Sequence, residues 1–419
     1  MSRQMKDSGV IWIGEIPVDW EIEPIKRFFK SQKRIVGNDA DKYERLALTM
    51  QGVIKRSKED NEGLQPEKFD SYQILKKNEL VFKLIDLQNE KTSRVGLSPF
   101  EGIVSPAYII LTNNNPDNRY YYYWFLDMYN RLIFNQMGDD GVRSSLNAND
   151  VLSIPVPKLN APTQKLIADF LDQKCGEVDE MVSLQEKIIE ELKAYKQAII
   201  TEAVFNGLHP ENEKKDSGVE WIGKIPTGWK TIRIKYLLTE RKERSEKGEE
   251  EPLSMSQKKG LVPTKDLETI PNIATSFIGA KLVYEGDLVF NKLKAHLGVF
   301  SVSKYFGLVS PDYAVYYSRD GVNAKYLEYL FKTDKYINEF KKLSTGVGAG
   351  LTRLYTSDLY SISALYPSIK EQDEIVAYIS TKSAEIDSLV AIKQQKIEEL
   401  KDYKKSIIYE YITGKKEVV

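Results

Sequence analysis

The chain has one cysteine, Cys175, and two histidines, His209 and His296. A single thiol excludes a disulfide framework within the chain. So little Cys and His also leaves almost no material for a zinc site. No apolar run approaches the roughly 18 residues that a membrane-spanning helix needs. Residues 1–10 (MSRQMKDSGV) hold no apolar stretch of the secretory kind. A cytoplasmic setting without membrane contact is therefore expected. An excess of charge is missing too: 60 basic and 61 acidic side chains leave 419 residues at a formal net charge of −1, so any surface for nucleic acid must be local. Catalytic signatures are equally scarce. Gly346-Val347-Gly348-Ala349-Gly350 lacks the lysine of a phosphate-binding loop and reads as a surface loop. There is no H-E-x-x-H. Ser105-Pro106-Ala107-Tyr108 and Ser310-Pro311-Asp312-Tyr313 have one proline each, where a base-methylating site would need two. Neither Pro116-Asp117 nor Pro311-Asp312 has the E-x-K partner of a metal nuclease nearby.

What is present is a duplication. Residues 7–29 read DSGVIWIGEIPVDWEIEPIKRFF, and residues 216–238 read DSGVEWIGKIPTGWKTIRIKYLL. Further along, Glu79-Leu80-Val81-Phe82 answers Asp287-Leu288-Val289-Phe290, and GIVSPAY (102–108) answers GLVSPDY (307–313). Finally EKIIEELKAYKQAII (186–200) answers QKIEELKDYKKSII (395–408). The spacing between copies stays near 208 residues, far longer than a solenoid repeat. Apolar residues at 42% and charged residues at 29% suit a globular chain with more than one core.

Each copy has two parts. The first mixes short strand-like runs (Val81-Phe82, Ile103-Val104, 108–111, 288–290, 313–317) with helical stretches at 119–134 and 325–343. In the first of these stretches, Arg119-Tyr120-Tyr121-Tyr122-Tyr123-Trp124-Phe125 reads as core, not as a stacking platform for bases. The second part opens after prolines (Pro155, Pro157 and Pro162; then Pro367) and closes at Gly207 and Gly414. It carries a heptad seam: Leu171, Val178, Gln185, Leu192 and Ile199 in one copy, Ile379, Ile386, Lys393, Leu400 and Ile407 in the other. Flanking positions Lys174, Met181, Ile188 and Tyr195, and then Lys382, Leu389, Lys396 and Tyr403, are expected to share the seam, widened by Cys175, Val182 and Ile189 and by Ser383, Val390 and Ile397. Both seams lapse to a polar residue at the same place, Gln185 and Lys393. Residues 163–206 would span about 66 Å if wholly helical, and Gly176 makes 172–176 a candidate break. The expected fold class is α+β: a tandem duplication of a mixed globule plus a long helix, the two helices pairing as an antiparallel coiled coil with pseudo-twofold symmetry. Boundaries fall at 1–158 and 209–367 for the globules, and at 159–208 and 368–419 for the helices.

Charge divides the same way. Residues 163–206 hold five Lys against nine acids, and 368–413 hold seven against nine, so the rest of the chain is net positive by five. Basic and polar residues cluster in expected loops of the globules. Candidate DNA contacts are Lys55, Arg56, Lys91, Ser93, Arg94, Arg143 and Ser144 in the first copy. In the second they are Gln257, Lys258, Lys292, Lys294, His296, Thr352 and Arg353. Arg and Lys can read guanine edges and Gln adenine edges, while Ser, Thr and spare Lys hold phosphates.

The doubled W-I-G-x-I-P-x-x-W, the doubled G-[IL]-V-S-P-x-Y and the helix openings TQKLIADFL (163–171) and EQDEIVAYI (371–379) resemble the specificity subunit of type I restriction–modification enzymes nearly end to end. The later V-D-E-M and E-I-D-S-L runs, from Val178 and Glu385, fit as well. The resemblance implies that each globule is a target recognition domain reading one half of a split, asymmetric sequence in double-stranded DNA, with the helix pair fixing the unread spacer. It further implies two docked methyltransferase subunits and two restriction–translocase subunits. This chain itself would be non-catalytic, with no cofactor of its own; S-adenosylmethionine, ATP and Mg²⁺ would sit in the partners. Two readings compete with it: a duplicated DNA-modifying enzyme with an unfamiliar site, and a scaffold that binds no DNA.

Overall fold

The computed structural model describes residues 3–50, 52–60, 68–85, 87, 94–137, 145–209, 211, 213–257, 259–267, 276–346 and 352–418. It divides into two compact units, Met1–Glu186 with Gln394–Val419, and Lys187–Lys393. Each unit thus contains one globule and one end of each long helix. The first long helix runs Ala161–Asn206 and the second Ile369–Ile412. The candidate break at 172–176 does not occur. Gly176 is exposed with open space around the place of a Cβ, and the helix continues through it. Among the described residues, no helix is long and apolar enough to cross a membrane.

The two globules repeat one topology. The first has a four-stranded antiparallel sheet in the order Lys30–Ser31, Ile109–Thr112, Leu80–Lys83, Arg94–Leu97; the second has Leu238–Glu240, Tyr313–Ser318, Leu288–Asn291, Phe300–Val302. The repeated E/D-L-V-F run is the third strand of each sheet, buried along Leu80–Phe82 and Leu288–Phe290. Its leading carboxylate caps the preceding turn. Glu79 accepts from the backbone N–H of Lys76 at 2.8 Å and pairs with Arg34. Asp287 accepts from the N–H of Tyr284 at 2.9 Å and pairs with Arg241. Both acids are nearly buried (6% and 2% exposed), so the arginine is what makes their burial affordable.

The glycine opening G-[IL]-V-S-P-x-Y is fixed by a close approach. A Cβ on Gly102 would press on the carbonyl of Glu44 and the Leu46 side chain; on Gly307 it would press on Glu251 and Leu253. The aromatic run of the first globule lies in the helix Arg119–Asn130, with Tyr120, Tyr121, Tyr123, Trp124 and Phe125 buried. The helical stretches expected at 119–134 and 325–343 are each broken in two. The first breaks at Leu132 with its positive φ of 57°, the second at the Lys332-Thr333 turn before Asp334–Leu343.

Within each unit a globule grips the end of the other repeat's helix. In the first unit Ile407, Ile408 and Ile412 join Ile167, Leu171 and Cys175 in the globule's main core cluster. Tyr120 Oη donates to the Ile412 carbonyl at 2.9 Å. In the second unit Ile200, Val204 and Phe205 join Ile375 and Ile379 in the equivalent core, and Tyr326 Oη donates to the Val204 carbonyl at 3.4 Å. The second tryptophan of each W-I-G-x-I-P-x-x-W closes this junction. Trp20 and Trp229 are buried; Trp229 Nε1 donates to Glu371 at 2.8 Å. Gly207 and Gly414, just past the helix ends with φ of +74° and +71°, leave room for Trp229 and Trp20 respectively.

Candidate nucleic-acid interface

Helix pairing is visible inside each unit. In the first, the Phe170 and Tyr411 rings lie 4.2 Å apart and Lys404 Nζ reaches Asp179 at 2.7 Å. In the second, Lys196 Nζ reaches Asp387 at 2.7 Å. As one helix advances from 170 to 179 the other retreats from 411 to 404, so the pairing in the first unit is antiparallel. Of the seam residues, Leu171, Val178, Ile379, Ile386, Leu400 and Ile407 are buried. Gln185, Leu192, Ile199 and Lys393 are half-buried. Gln185 keeps a buried side-chain oxygen with no partner among the described residues. The flank expected to share the seam does so only in part: Lys174, Ile188 and Lys382 are half-buried, whereas Met181, Tyr195, Leu389 and Tyr403 are 46–59% exposed. Cys175, Ile189 and Ile397, four places after a seam position, are the buried ones. The buried stripe therefore steps by four and then three, and most residues three places after a seam position turn outward.

The globules supply the cations. In the first unit, Lys55 ends the strand Gly52–Lys55, lies 3.9 Å from Glu44 and sits over the Phe100 ring at 5.5 Å. Arg56 is held by Asp60 at 2.6 Å. Arg94 opens the sheet's edge strand opposite Lys83 and donates to Tyr129 Oη at 3.4 Å. Lys91, Ser93, Arg143 and Ser144 lie outside the described residues, as do Lys258 in the second unit and 347–350 of the glycine-rich loop.

The second unit brings its candidates closer together. Lys292 follows the strand Leu288–Asn291, and its carbonyl accepts from Leu354 N–H at 3.0 Å. That contact sets Lys292 beside the short strand Thr352–Arg353, whose own partner is Thr345–Gly346. Thr352 Oγ1 and His296 Nδ1 are 3.4 Å apart. Arg353 donates to Asp312 at 3.3 Å, its guanidinium 5.8 Å from the Tyr355 ring. Burial, with Lys281 and Arg353 nearby, holds the Lys292 ammonium below the usual lysine range. Lys294 is exposed at the start of the turn Ala295–Leu297, and Gln257 occupies the turn between Leu253–Ser256 and Gly260–Pro263. Sequence reasoning missed Lys281, which is 7% exposed; it donates to the Tyr313 carbonyl at 2.7 Å and stands 3.6 Å from Glu240. It missed Asp312 as well. The one signal for Asp312 was the variable x of V-S-P-x-Y, Ala107 in one copy and Asp312 in the other. A cavity of about 420 Å³ lined by Asn291, Ser310, Asp312 and Tyr313 adjoins this cluster. Among the described residues no group of three or more His, Cys, Asp or Glu side chains is placed to hold a metal ion.

These features, two repeats of one globule with basic loops and one end of each long helix, coincide with what known proteins show. Residues 17–194 match the family model of the type I restriction modification DNA specificity domain. The chain is 25% identical over 257 residues to the specificity subunit of the type I restriction enzyme EcoKI of Escherichia coli (strain K12), covering 57% of this chain and 52% of that protein, about half its length. It is 23% identical over 437 residues to a protein of Methanocaldococcus jannaschii provisionally named as the MjaX type I restriction enzyme specificity subunit, covering 96% of this chain and 95% of that one. Two solved structures share the fold. One, from work on complex assembly and conformational transition of the type I R-M system, has a TM-score of 0.68 at 15% identity over 95% of this chain and 98% of that chain. The other, the crystal structure of the HsdS subunit from Thermoanaerobacter tengcongensis, has a TM-score of 0.52 at 15% identity with the same coverage. The fold is a doubled globule with two long helices, shared with these solved structures, and residues 17–194 match a DNA specificity domain. The chain is similar to the specificity subunits of type I restriction–modification enzymes, through the family model over residues 17–194 and through these relatives.

Proposed function

We propose that this chain reads a bipartite, asymmetric DNA site, one half with each globule, while the two long helices set the number of unread base pairs between the halves. The observation that carries this reading is the repeated construction: one scaffold twice, each copy closed by one end of each helix, with different loop chemistry on each. Residues 1–158 and 209–367 are then the readers, and 159–208 with 368–419 the spacer. Major grooves on one face of a duplex recur about every 34–36 Å, and a helix of 46 residues rises about 69 Å, enough to impose such a separation. Lys55, Arg56, Arg94, Gln257, Lys292, Lys294, His296, Thr352 and Arg353 are the described residues proposed to face DNA.

The chain acts without chemistry of its own and positions two methyltransferase subunits, which hold S-adenosylmethionine and take the target adenine out of the stack. Two restriction–translocase subunits, using ATP and Mg²⁺, complete the enzyme. Support for two equal docking places comes from the exposed apolar residues of the helices. Met181, Leu184 and Tyr195 are exposed, and so are Leu389, Ile392 and Tyr403, each 208 residues later. Duplicated surfaces take duplicated partners.

The test is adenine-methylation mapping with and without the gene, followed by a variant with one heptad added to each long helix. The expected result is a two-part motif whose spacer changes while its half-sites keep their bases. Altered half-site bases with the old spacer would refute the ruler. Nuclease or methyltransferase activity of the purified chain alone would favour the enzyme reading, and salt-independent DNA binding by the full complex the scaffold reading.

A further inference from the structure

The two globules have the same backbone at the V-S-P-x-Y turn and opposite chemistry around it. In the first unit Leu146 N–H donates to the Leu84 carbonyl at 3.0 Å; in the second, Leu354 N–H donates to Lys292 at 3.0 Å. Gln73 donates to the Tyr108 carbonyl at 2.6 Å, and Lys281 does the same for Tyr313 at 2.7 Å. The strand registers agree: Gln73 lies opposite Val104, and Lys281 opposite Val309. Position by position, the first unit therefore holds Gln73, Leu84, Ala107 and Ser145 where the second holds Lys281, Lys292, Asp312 and Arg353.

Four neutral residues carry that backbone in one unit, so the fold does not need the charges in the other. The charges are also costly. Lys281 is almost buried, Lys292 is half-buried, and burial together with the Lys281 and Arg353 charges disfavours the Lys292 ammonium. A cost that the sister unit avoids on the same scaffold points to function. Arg353 is the member suited to recognition. Asp312 is its sole carboxylate partner among the described residues, and its Nε is buried without an acceptor, so the terminal nitrogens are the edge left for a ligand. A planar guanidinium steadied at one corner matches the O6 and N7 acceptors of guanine in the major groove.

We propose that Arg353, oriented by Asp312 and flanked by Lys292 and Lys281, reads a guanine in the half-site taken by the second unit, and that these four positions are where the two readers diverge. The inference rests on the function proposed above. Asp312 and Lys281 are positioning residues: one holds the guanidinium, the other holds the turn that carries Asp312.

Methylation is mapped in cells carrying the wild-type chain, Arg353→Ser (the residue of the first unit), Arg353→Gln, or no chain. Both variants are expected to relax one guanine position of one half-site, by roughly ten- to a hundredfold, the discrimination of one bidentate pair, while the other half-site keeps its bases. If Arg353→Ser does not accumulate as folded protein, Arg353→Gln decides alone, since it keeps much of the side chain's length and polarity and loses the charged fork. An unaltered motif overturns the inference. Evenly weaker methylation at every site also overturns it, because that is the mark of a phosphate contact. A wild-type chain on which no motif depends would instead remove the proposed function itself.

Discussion

Lys404 and Asp179, 225 residues apart in sequence, pair at 2.7 Å between the two long helices of the first unit. Shifting both helices by one repeat gives Lys196 and Asp387, paired at 2.7 Å in the second unit. Asp179 and Asp387 are 208 residues apart, and so are Lys196 and Lys404. One duplicated interaction thus serves both ends of the helix pair with the same register.

Charge reversal tests that register. Asp179→Lys or Lys404→Asp alone should destabilise by about 0.3–1 kcal/mol, the range for exposed pairs. The double swap should recover most of it. Urea unfolding of all four proteins measures the coupling, and additive losses would mean that the two side chains do not meet.

Gln372 should be far more sensitive. It is fully buried at the start of the second long helix. Its amide donates to Pro367 at 3.0 Å and Gly321 at 3.3 Å, and its oxygen accepts from Asn323 N–H at 2.9 Å. Gln372→Leu leaves the Pro367 carbonyl and the Asn323 N–H without this partner, while the Gly321 carbonyl keeps Tyr366 Oη, and should cost on the order of 2–3 kcal/mol. Gln164, its counterpart, bonds Leu159 and Tyr121, so Gln164→Leu should cost less. Denaturation midpoints rank the two.

Gly102→Ala and Gly307→Ala should each destabilise their own unit by about 1–3 kcal/mol, because a methyl group has to displace the carbonyl of Glu44 or Glu251. Hydrogen exchange should show faster opening of the sheet in the substituted unit and normal protection in the other.

Lys292 predicts a pH dependence. Burial, then Lys281 and Arg353, lower its folded-state pKa below the ordinary 10.5. At neutral pH the folded chain carries an ammonium ion that it disfavours. The penalty fades as pH rises from the folded pKa through 10.5, where both states lose the proton. Lys292→Leu, with the residue the first unit has, should therefore raise the melting temperature at pH 7, and the gain should shrink on the alkaline side. A gain that is constant with pH would assign the effect to packing.

Much of this was legible from residue order. The 208-residue repeat, the strands around Val81 and Val289, the buried aromatic run and the two long helices all follow from period and duplication. Register across distance was not. Met181 and Tyr195 are apolar at helical spacing, and nothing local says that they face outward. That depends on which side of the stripe the other helix takes. Lys281 and Gln73 escaped notice because a polar residue in a short strand normally faces water. Here each reaches the carbonyl of a tyrosine that is distant in sequence, at position 108 or 313. Asp312 looked like turn chemistry until Arg353 was found beside it.

Tyr120 bonds the carbonyl of Ile412, 292 positions downstream, and Ile407, Ile408 and Ile412 fill the same core. The unit of residues 187–393 is one continuous stretch and can close as soon as it leaves the ribosome. The other waits: its globule is synthesised first, yet its interior is completed last, by a segment that emerges only after the second unit has been made. A released chain that ends before residue 400 would carry one finished unit, the later one, and damage to those isoleucines would be felt in the globule made from the opposite end of the sequence.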